Sequence, residues 1–284
     1  MRLPSLVSPS TVLALTLTAH AGIYSGPTDT TNALDPAIPA NSPLITEWAG
    51  NIDPSRTHFA TGGSTAISLT GFNSLGDLSA ADIANSVSPG FLTVTFPAAI
   101  RDLPGPDFAA FENGFTFGTP NGFFLELAYV EVSSNGSDFA RFPSISTNSA
   151  PVTGSGAFAG FDTSNLFNLA GKHAANFGTP FDLAQLASDP LVAAGALDLQ
   201  NILYVRLVDI PGNGSFKDSL GNPILDNWQT SGGTAGYDFR LTPGSGIGVL
   251  HAVPQPASAV CGVLGVVVLI CRRCRRACIC ARGC

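Results

Sequence analysis

Carboxylate and amide side chains are concentrated in one short stretch of the sequence, "PDFAAFENG". This stretch contains Asp107, Glu112 and Asn113. Hard oxygen ligands of this kind, supplemented by backbone carbonyls from glycine-rich loops, suit Ca²⁺. Asp209 and Asp238 lie in strand-like stretches elsewhere and would complete such a site if the sheet brought them near. We therefore predict a structural Ca²⁺ site from these five residues, without a contiguous D-x-D-x-D-G loop.

A purely structural role is the alternative interpretation of the same acidic residues. Asp and Asn side chains often cap turns, and Glu112 would then pair with an arginine such as Arg206 or Arg101. The two interpretations differ in what neutralises the carboxylates.

A second polar stretch, "ILDNWQTSGG", has the composition of a carbohydrate-binding loop. Exposed aromatic rings stack on the apolar faces of sugar rings, while carboxylates and amides bind the hydroxyl groups. Trp228, beside Asp226 and Asn227, would form such a tip together with Tyr237. In the alternative interpretation, Trp228 fills the end of the folded body. Two further aromatic candidates are Trp48 and Tyr204.

The sequence carries none of the common enzyme signatures. It lacks a G-x-S-x-G elbow, an H-E-x-x-H motif, a Walker A loop and a dinucleotide fingerprint. Glu126 and Glu131 lie five residues apart in one predicted strand, so alternation sends them to opposite faces and they cannot act as a glycosidase pair. We predict a non-enzymatic protein; a secreted glycan hydrolase and a purely structural surface protein remain alternatives.

The elements that position these residues read as strands. The stretch "FLTVTF" (91–96) alternates apolar and polar residues, as a half-buried strand does. The stretch "FFLELAYVEVSS" is followed by Asn135-Gly136 and "DFARF", which predicts a strand, a two-residue turn and a return strand. "ILYVRLVDI" (202–210) is apolar on both faces apart from two residues, which is typical of a central strand.

Composition also favours an all-β body with few and short helices. The 284 residues include 31 Gly and 21 Pro, and 12% are charged, a balance that favours many turns over long helices. Two short helices, each beginning with an aspartate cap, are predicted in residues 77–86 and 182–189. We predict a β-sandwich of jelly-roll type.

The N-terminal residues have the pattern of a secretory signal peptide. Arg2 precedes the apolar stretch "STVLALTLTA" and the small-residue site Ala19-His20-Ala21, which predicts cleavage after Ala21. All six cysteines lie at position 261 or later, and a body of this size folds without disulfides. The predicted regions are therefore 1–21 (signal peptide), 22–252 (β-sandwich) and 253–284 (C-terminal signal).

The C-terminal region combines a short apolar stretch with a basic end. Residues 257–270 are uncharged, and as a helix they would span about 21 Å, less than the hydrocarbon core of roughly 30 Å. The following arginines would remain in the cytoplasm. A plain membrane anchor is the alternative function of this stretch.

This order of proline motif, apolar helix and arginines resembles the PEP-CTERM sorting signal of exported bacterial proteins. The matching residues are Val253, Pro254, Gln255, Pro256, Arg272 and Arg273, with Gln255 where the family usually has Glu. The resemblance implies transient retention at the inner membrane, processing by an exosortase, and release to the cell surface or the extracellular polysaccharide matrix.

The body also resembles a group of PEP-CTERM surface proteins, over roughly residues 60–251. The strings that carry this are "GPDFAAFENGF", "AYVEVSSNGSDFARFP", "AGKHAANFGTPFDLAQL", "YVRLVDI", "GNPILDNWQT" and "GYDFRLTPGSGIGVLH". The resemblance implies a galactose-binding-like, or discoidin-like, β-sandwich. Where relatives have a second acid, two residues after the position of Asp238, this chain has Arg240.

Charge decides against one class of partner. The formal net charge is −7, and five of the 13 Lys and Arg residues lie in the last thirteen positions. Nucleic-acid binding needs a basic surface that releases counterions, and the body before the tail has no basic cluster. Matrix polysaccharide remains the predicted partner.

Overall fold

Two five-stranded antiparallel sheets form the body of the protein. The structure is a computed structural model that describes residues 22–116, 123–148, 162–226 and 246–250, and the backbone of 238–240. The predicted signal peptide and the predicted sorting signal, including Val253, Pro254, Gln255, Pro256, Arg272 and Arg273, lie outside the described residues.

The described strands are short, and most have two to six residues. In chain order they are β1 (Ile38–Pro39), β2 (Glu47–Trp48), β3 (Asn51–Ile52), β4 (Phe72–Ser74), β5 (Phe91–Ile100), β6 (Phe108–Phe111), β7 (Phe115–Thr116), β8 (Phe123–Phe124), β9 (Ala128–Ser133), β10 (Ala140–Arg141), β11 (Ile145–Ser146), β12 (Leu166–Phe167), β13 (Phe177–Phe181), β14 (Ile202–Asp209), β15 (Asn213–Lys217), β16 (Pro223–Leu225), β17 (Asp238–Arg240) and β18 (Gly246–Val249).

The two large sheets pack as a sandwich, which confirms the predicted all-β class. The first sheet has the order β1-β13-β6-β18-β2, and the second has the order β10-β9-β14-β5-β3. Neighbouring strands in both sheets are antiparallel. Four two-stranded pairs flank them: β11-β12, β15-β16, β17-β4 and β7-β8.

The main core lies between the two sheets. Phe108 and Ile247 of the first sheet belong to the same buried cluster as Val94, Val130 and Leu207 of the second. Each such side chain contributes about 1.5–3 kcal/mol when it is fully buried. The alternation predicted for β5 is present only in part: Val94 is buried and Thr95 is partly exposed, but Thr93, which was predicted on the exposed face, is fully buried. Burial of this apolar face sets the register of the sheet.

The predicted central strand is confirmed. β14 lies in the middle of the second sheet and pairs with β9 on one side and β5 on the other. Its position in the middle of the sheet explains the nearly continuous apolar character of its sequence. β14 ends at Asp209, at the edge of the sandwich where β9 and β5 begin.

The hairpin after β9 forms, but the predicted turn is wrong. Val132 pairs with Ala140, and six residues instead of two lie between the end of β9 and the start of β10. Gly136 has a positive φ of 73° whereas Asn135 does not. The Asn135 carboxamide oxygen instead accepts hydrogen bonds from the backbone N–H groups of Ser137 and Asp138, at 2.8 and 2.9 Å. This side-chain turn replaces the tight backbone turn that Asn-Gly predicts.

The strand predicted before this hairpin is interrupted. β8 ends at Phe124 and β9 begins at Ala128, so Glu126 lies between two strands and not within one. This breaks the alternation from which the orientation of Glu126 was predicted.

Helices in the described residues are few and short, as predicted. They are α1 (Ala80–Ala84), α2 (Pro190–Ala193) and the 3-10 helices Pro54–Arg56, Thr163–Asn165 and Leu183–Leu186. Asp182 caps Leu183–Leu186 as predicted, but Ser79, not Asp77, caps α1. Asp77 has another environment, described below. Among the described helices, none is long and apolar enough to cross a membrane.

Candidate metal site at one end of the sandwich

Five buried carboxylates lie at or near strand ends. They are 0–7% exposed and belong to Asp77, Glu112, Glu126, Asp209 and Asp226. Glu112 directly follows β6, and Asp226 directly follows β16. Asp209 is the last residue of β14. We call this set the strand-end acidic site. Buried carboxylates are rare in proteins unless a partner charge compensates them.

Antiparallel pairing brings Asp209 and Glu126 to the same end of the second sheet. Asp209 pairs with Ala128, the first residue of β9, and Glu126 lies two residues before Ala128. The Ile210 N–H donates to Leu127 O at 3.1 Å, so the two chains remain adjacent beyond the strands.

Asp77 joins the same end through a close approach of two backbones. The Asp209 N–H donates to Gly90 O at 2.9 Å. A Cβ on Gly90 would lie only 1.9 Å from Leu75 O, so only glycine lets the chain before Asp77 pass this close.

Glu112 and Asp226 are held by their own loops. The Gly114 N–H donates to Glu112 Oε2 at 2.5 Å, and Phe115 pairs with Phe124, two residues before Glu126. The Asp226 N–H donates to Gly212 O at 3.2 Å. A Cβ on Gly212, which has a φ of +61°, would lie 1.8 Å from Asp226 Oδ1, so a glycine is needed for Asp226 to lie against this turn.

Glu126 is the electrostatic centre of the site. Burial raises the pKa of Glu126 well above its usual range. Nearby negative charges raise this pKa further, and they belong, in decreasing order of effect, to Asp226, Asp209, Glu112 and Asp77. Glu126 Oε1 is buried and has no hydrogen-bond partner among the described residues.

The described ion pairs of lysine and arginine lie elsewhere. Arg206 and Arg141 both bind Glu131, at 2.6 and 2.8 Å. The alternative in which Glu112 pairs with Arg206 is therefore wrong, because the register of β9 and β14 places Arg206 directly opposite Glu131. Arg101 is exposed.

The arrangement has the donor chemistry of a Ca²⁺ site. Ca²⁺ takes six to eight oxygen ligands in flexible geometry, and carboxylates and backbone carbonyls supply them. Glu126 interacts electrostatically with the other four carboxylates, and a divalent cation bound near them would offset part of this negative charge.

Two of the five predicted ligands, Glu112 and Asp209, belong to this site. Asn113 is half-buried in the loop directly after Glu112. The backbone of Asp238 lies opposite Ser74, three residues before Asp77, while its side chain lies outside the described residues.

Asp107 does not belong to this site, contrary to the prediction. It precedes β6 whereas Glu112 follows it, a separation of about 16 Å along an extended strand. Its carboxylate accepts hydrogen bonds from the Leu103 N–H at 2.9 Å and from the Leu183 N–H at 2.7 Å. Carboxylate oxygens of Asp102, Asp107 and Asp182 lie within 4.8 Å of one another, so these three described residues form a separate group that could hold a metal ion.

The predicted carbohydrate-binding tip is mostly outside the described residues, which include neither Asn227, Trp228 nor Tyr237. Asp226 is fully buried, so its carboxylate faces the acidic site and not solvent. Trp48 packs on Phe111 with ring centroids 5.2 Å apart. Tyr204 lies under the Arg56 guanidinium, at 5.4 Å. Both rings are half-buried.

Three site residues were missed from the sequence: Asp77, Glu126 and Asp226. One signal could have found Glu126, because it is the single charged residue in the apolar run "FFLELAYV". Asp77 was predicted to cap a helix and Asp226 to bind sugar. The sequence alone does not distinguish these roles from membership of the strand-end acidic site, because that depends on which strand ends lie close together in the fold.

A second buried group of charged residues surrounds Lys172. The Lys172 side chain is fully buried and forms an ion pair with Asp35. Its ammonium group also donates to Leu166 O at 2.8 Å and to Ser25 Oγ at 3.2 Å. Burial lowers the pKa of Lys172, and the charge of Asp35 opposes this shift.

His173 extends this group, which we call the Lys172 network (Ser25, Asp35, Lys172, His173 and Thr179). The two ring nitrogens of His173 form hydrogen bonds with Ser25 Oγ at 2.7 Å and Thr179 Oγ1 at 3.1 Å. Burial, together with the Lys172 charge, lowers the pKa of His173 well below its usual range. The network attaches the N-terminal segment to the body, because Ser25 and Asp35 lie in that segment.

Comparison with known proteins adds no family to this description. A scan against models of protein families matches none, and searches of curated proteins and of solved structures find no match.

Proposed function

We propose that the protein is an exported, non-enzymatic surface or matrix β-sandwich that binds Ca²⁺ in its strand-end acidic site. The observation that carries the calcium part is Glu126, whose buried Oε1 has no hydrogen-bond partner within the described chain and whose pKa is raised by burial and by the charges of four other carboxylates. A cation that is coordinated by oxygen ligands would give Glu126 Oε1 a partner and would offset the negative charge around it.

The bound ion would have a structural role. Its ligands come from the ends of β6, β14 and β16 and from the loops after β4 and before β9. Linking these segments closes one end of the sandwich across both sheets. Ca²⁺ in extracellular modules often binds with Kd of about 10⁻⁴–10⁻³ M, which matches concentrations outside cells.

Calorimetric titration with Ca²⁺ tests the calcium proposal. The purified full chain, treated with EDTA and dialysed, should bind Ca²⁺ with measurable heat. Glu126→Gln and Asp226→Asn keep side-chain size but remove one negative charge each, and should weaken binding at least tenfold. Asp138→Asn, which changes an exposed carboxylate, is the matched control and should bind as the parent does. Absence of heat and of any thermal shift at millimolar Ca²⁺ would overturn the proposal.

An internal counter-charge is the competing outcome of this titration. Arg240 belongs to β17, whose partner strand β4 leads to Asp77. If an arginine compensates the site, the parent chain will not bind Ca²⁺, whereas Arg240→Gln will. Binding by both chains supports the proposal.

Export is proposed from the two terminal signals in the sequence. Fractionation of the native bacterium with antibody against the body should find the chain at the surface or in the extracellular matrix. Deletion of residues 253–284 should release it from the membrane-held state. Full-length chain in the cytosol, with residues 1–21 still attached, would contradict this part alone.

Polysaccharide binding is proposed for the polar segment that follows Asp226 in the sequence and contains Trp228. A glycan array probed with the parent and with Trp228→Ala should show hits that the substitution abolishes. This segment directly follows a proposed Ca²⁺ ligand in the sequence, so EDTA should weaken the same hits. Release of reducing sugars from matrix polysaccharide would identify a hydrolase and reject the non-enzymatic part.

A further inference from the structure

Gly22 lies against a short 3-10 helix of the body. The Gly22 N–H donates to Ser164 Oγ at 2.7 Å, and the Tyr24 N–H donates to Ser164 O at 3.2 Å. A Cβ at position 22 would lie 1.9 Å from Ser164 O. Position 22 therefore requires glycine, and its nitrogen is held at a defined place.

The hydrogen bond from Gly22 leads to a carboxylate. Ser164 Oγ donates its proton to Asp162 Oδ1 at 2.5 Å, which leaves its lone pairs available to the Gly22 nitrogen. Asp162 also caps the helix by accepting from the Ser164 N–H at 2.9 Å. A nitrogen with a positive charge would interact more strongly with this chain of groups than a neutral amide does.

The surrounding charge favours a second cation. Asp35, Asp162 and Asp29 all act on Lys172, where their charges raise its pKa against the effect of burial. Three carboxylates thus act electrostatically on one described ammonium group, and Asp35 forms an ion pair with it. An α-ammonium group at Gly22 would bring this neighbourhood closer to neutrality.

We infer that Ser164 and Asp162 form a binding site for the α-ammonium group that processing creates at Gly22. This inference rests on the proposed export, because the sequence predicts cleavage between Ala21 and Gly22. Hydrolysis breaks this amide bond: water gives its hydroxyl to the Ala21 carbonyl and its hydrogen to the Gly22 nitrogen, which then takes a further proton. One N–H donor becomes three, with a positive charge.

Processing thereby strengthens the attachment of the N-terminal segment. This segment supplies Ser25 and Asp35 to the Lys172 network, and Asn32 donates to Ile23 O at 3.0 Å. The chain released from the membrane is then more stable than its precursor.

One inserted residue tests this inference. The full chain is exported from a bacterial host in two forms, the parent and a variant with one alanine inserted between Ala21 and Gly22. The insertion retains the cleavage site and the Gly22 N–H, but moves the α-amino group by one residue. Each form is also made with Asp162→Asn, since Asn caps helices as well as Asp does.

Mass spectrometry of the purified chains first establishes where cleavage occurs. The α-amino pKa is then measured from the pH dependence of N-terminal acylation. The parent should have an α-amino pKa above the ordinary range of about 7.7–8.0, and a melting temperature about 2–4 °C above that of the insertion variant. Asp162→Asn should remove both differences.

The outcomes separate this inference from the proposed export. Retention of residues 1–21 would contradict export and leave no free α-amino group at Gly22. Correct cleavage with equal α-amino pKa values in all four chains would overturn the ammonium site while export stands. An insertion effect that is unchanged by Asp162→Asn would also overturn it.

Discussion

The Lys172 network and the strand-end acidic site are both buried, but they differ in how their charges are balanced. In the Lys172 network, one ammonium group meets Asp35 and two further oxygen acceptors, and both nitrogens of His173 have partners. In the acidic site, burial and the negative charges of four other carboxylates raise the pKa of Glu126. The cation of the Lys172 network has a described carboxylate partner, Asp35.

This difference indicates separate roles for the two groups. A buried network with matched charges and satisfied hydrogen bonds holds chain segments in a fixed arrangement. A buried group of like charges destabilises the fold unless a proton or a cation reduces the repulsion. The Lys172 network therefore acts as a structural anchor, and the acidic site is where we propose that an ion binds.

The largest expected effect is in the Lys172 network. Lys172→Met should lower the free energy of unfolding by about 3–5 kcal/mol, because it leaves the buried Asp35 carboxylate without its counter-charge. Denaturant unfolding measures this loss. Adding Asp35→Asn to Lys172→Met should restore part of the stability. A loss below about 1 kcal/mol for Lys172→Met alone would show that the network is not a structural anchor.

Calcium should have the next largest effect, and only through the acidic site. At a Ca²⁺ concentration 100 times Kd, binding should stabilise the parent by about 2.7 kcal/mol, a rise of about 5–10 °C in melting temperature. The Lys172→Met variant is less stable without Ca²⁺, but Ca²⁺ should raise its free energy of unfolding by the same amount as in the parent. Equal shifts in the parent and in Glu126→Gln would place calcium outside the acidic site.

Glu126→Gln should stabilise the chain in EDTA, contrary to the usual effect of a core substitution. Removing one buried charge should raise the free energy of unfolding at pH 7, because burial and four neighbouring carboxylates disfavour the charged form of Glu126. Glu131→Gln is the matched control, because Glu131 is equally buried but binds two arginines, and its loss should destabilise. Destabilisation by both substitutions would contradict the like-charge account.

The two groups should respond to pH with opposite signs. Glu126 has a raised pKa in the folded chain, so its contribution to stability is present below about pH 4.5 and is lost as pH rises through the folded pKa. His173 has a lowered pKa, so its contribution is present above about pH 6.5 and is lost as pH falls.

Unfolding free energies between pH 4 and 9, in EDTA, measure these effects. Glu126→Gln should flatten the decline with rising pH, and saturating Ca²⁺ should do the same in the parent. His173→Gln should flatten the decline with falling pH. If Glu126→Gln leaves the profile unchanged, the pKa of Glu126 is not linked to folding.

Local sequence patterns predicted the all-β fold, whereas they predicted only some of the residues of the strand-end acidic site. Alternation in β5 predicts a half-buried strand, and the apolar run of β14 predicts a central strand. Both predictions are possible because the order of apolar and polar residues along a strand reflects which of its side chains are buried. The sequence contains no turn signal at the break between β8 and β9, so Glu126 was predicted to lie within a strand. The other carboxylates that we group with Asp209 come from four separate segments, and Asp77 and Asp226 reach their places past close backbone approaches at Gly90 and Gly212.

Asp107 is the opposite case, in which two residues that are close in sequence lie far apart in the fold. It lies five residues from Glu112 in a stretch rich in oxygen donors, and this proximity in sequence suggested a shared ion. A strand lies between the two residues and sends them to opposite ends of the first sheet. Separation along the chain therefore predicts a shared ligand poorly when the intervening residues are extended.

The most direct test of the central claim is anomalous X-ray diffraction from crystals of the protein grown with CaCl₂. The account predicts one strong calcium peak, with oxygens of Glu126, Asp209 and Asp226 at about 2.3–2.6 Å. A well-ordered acidic site with no anomalous peak, or with a guanidinium group among the carboxylates, would contradict it.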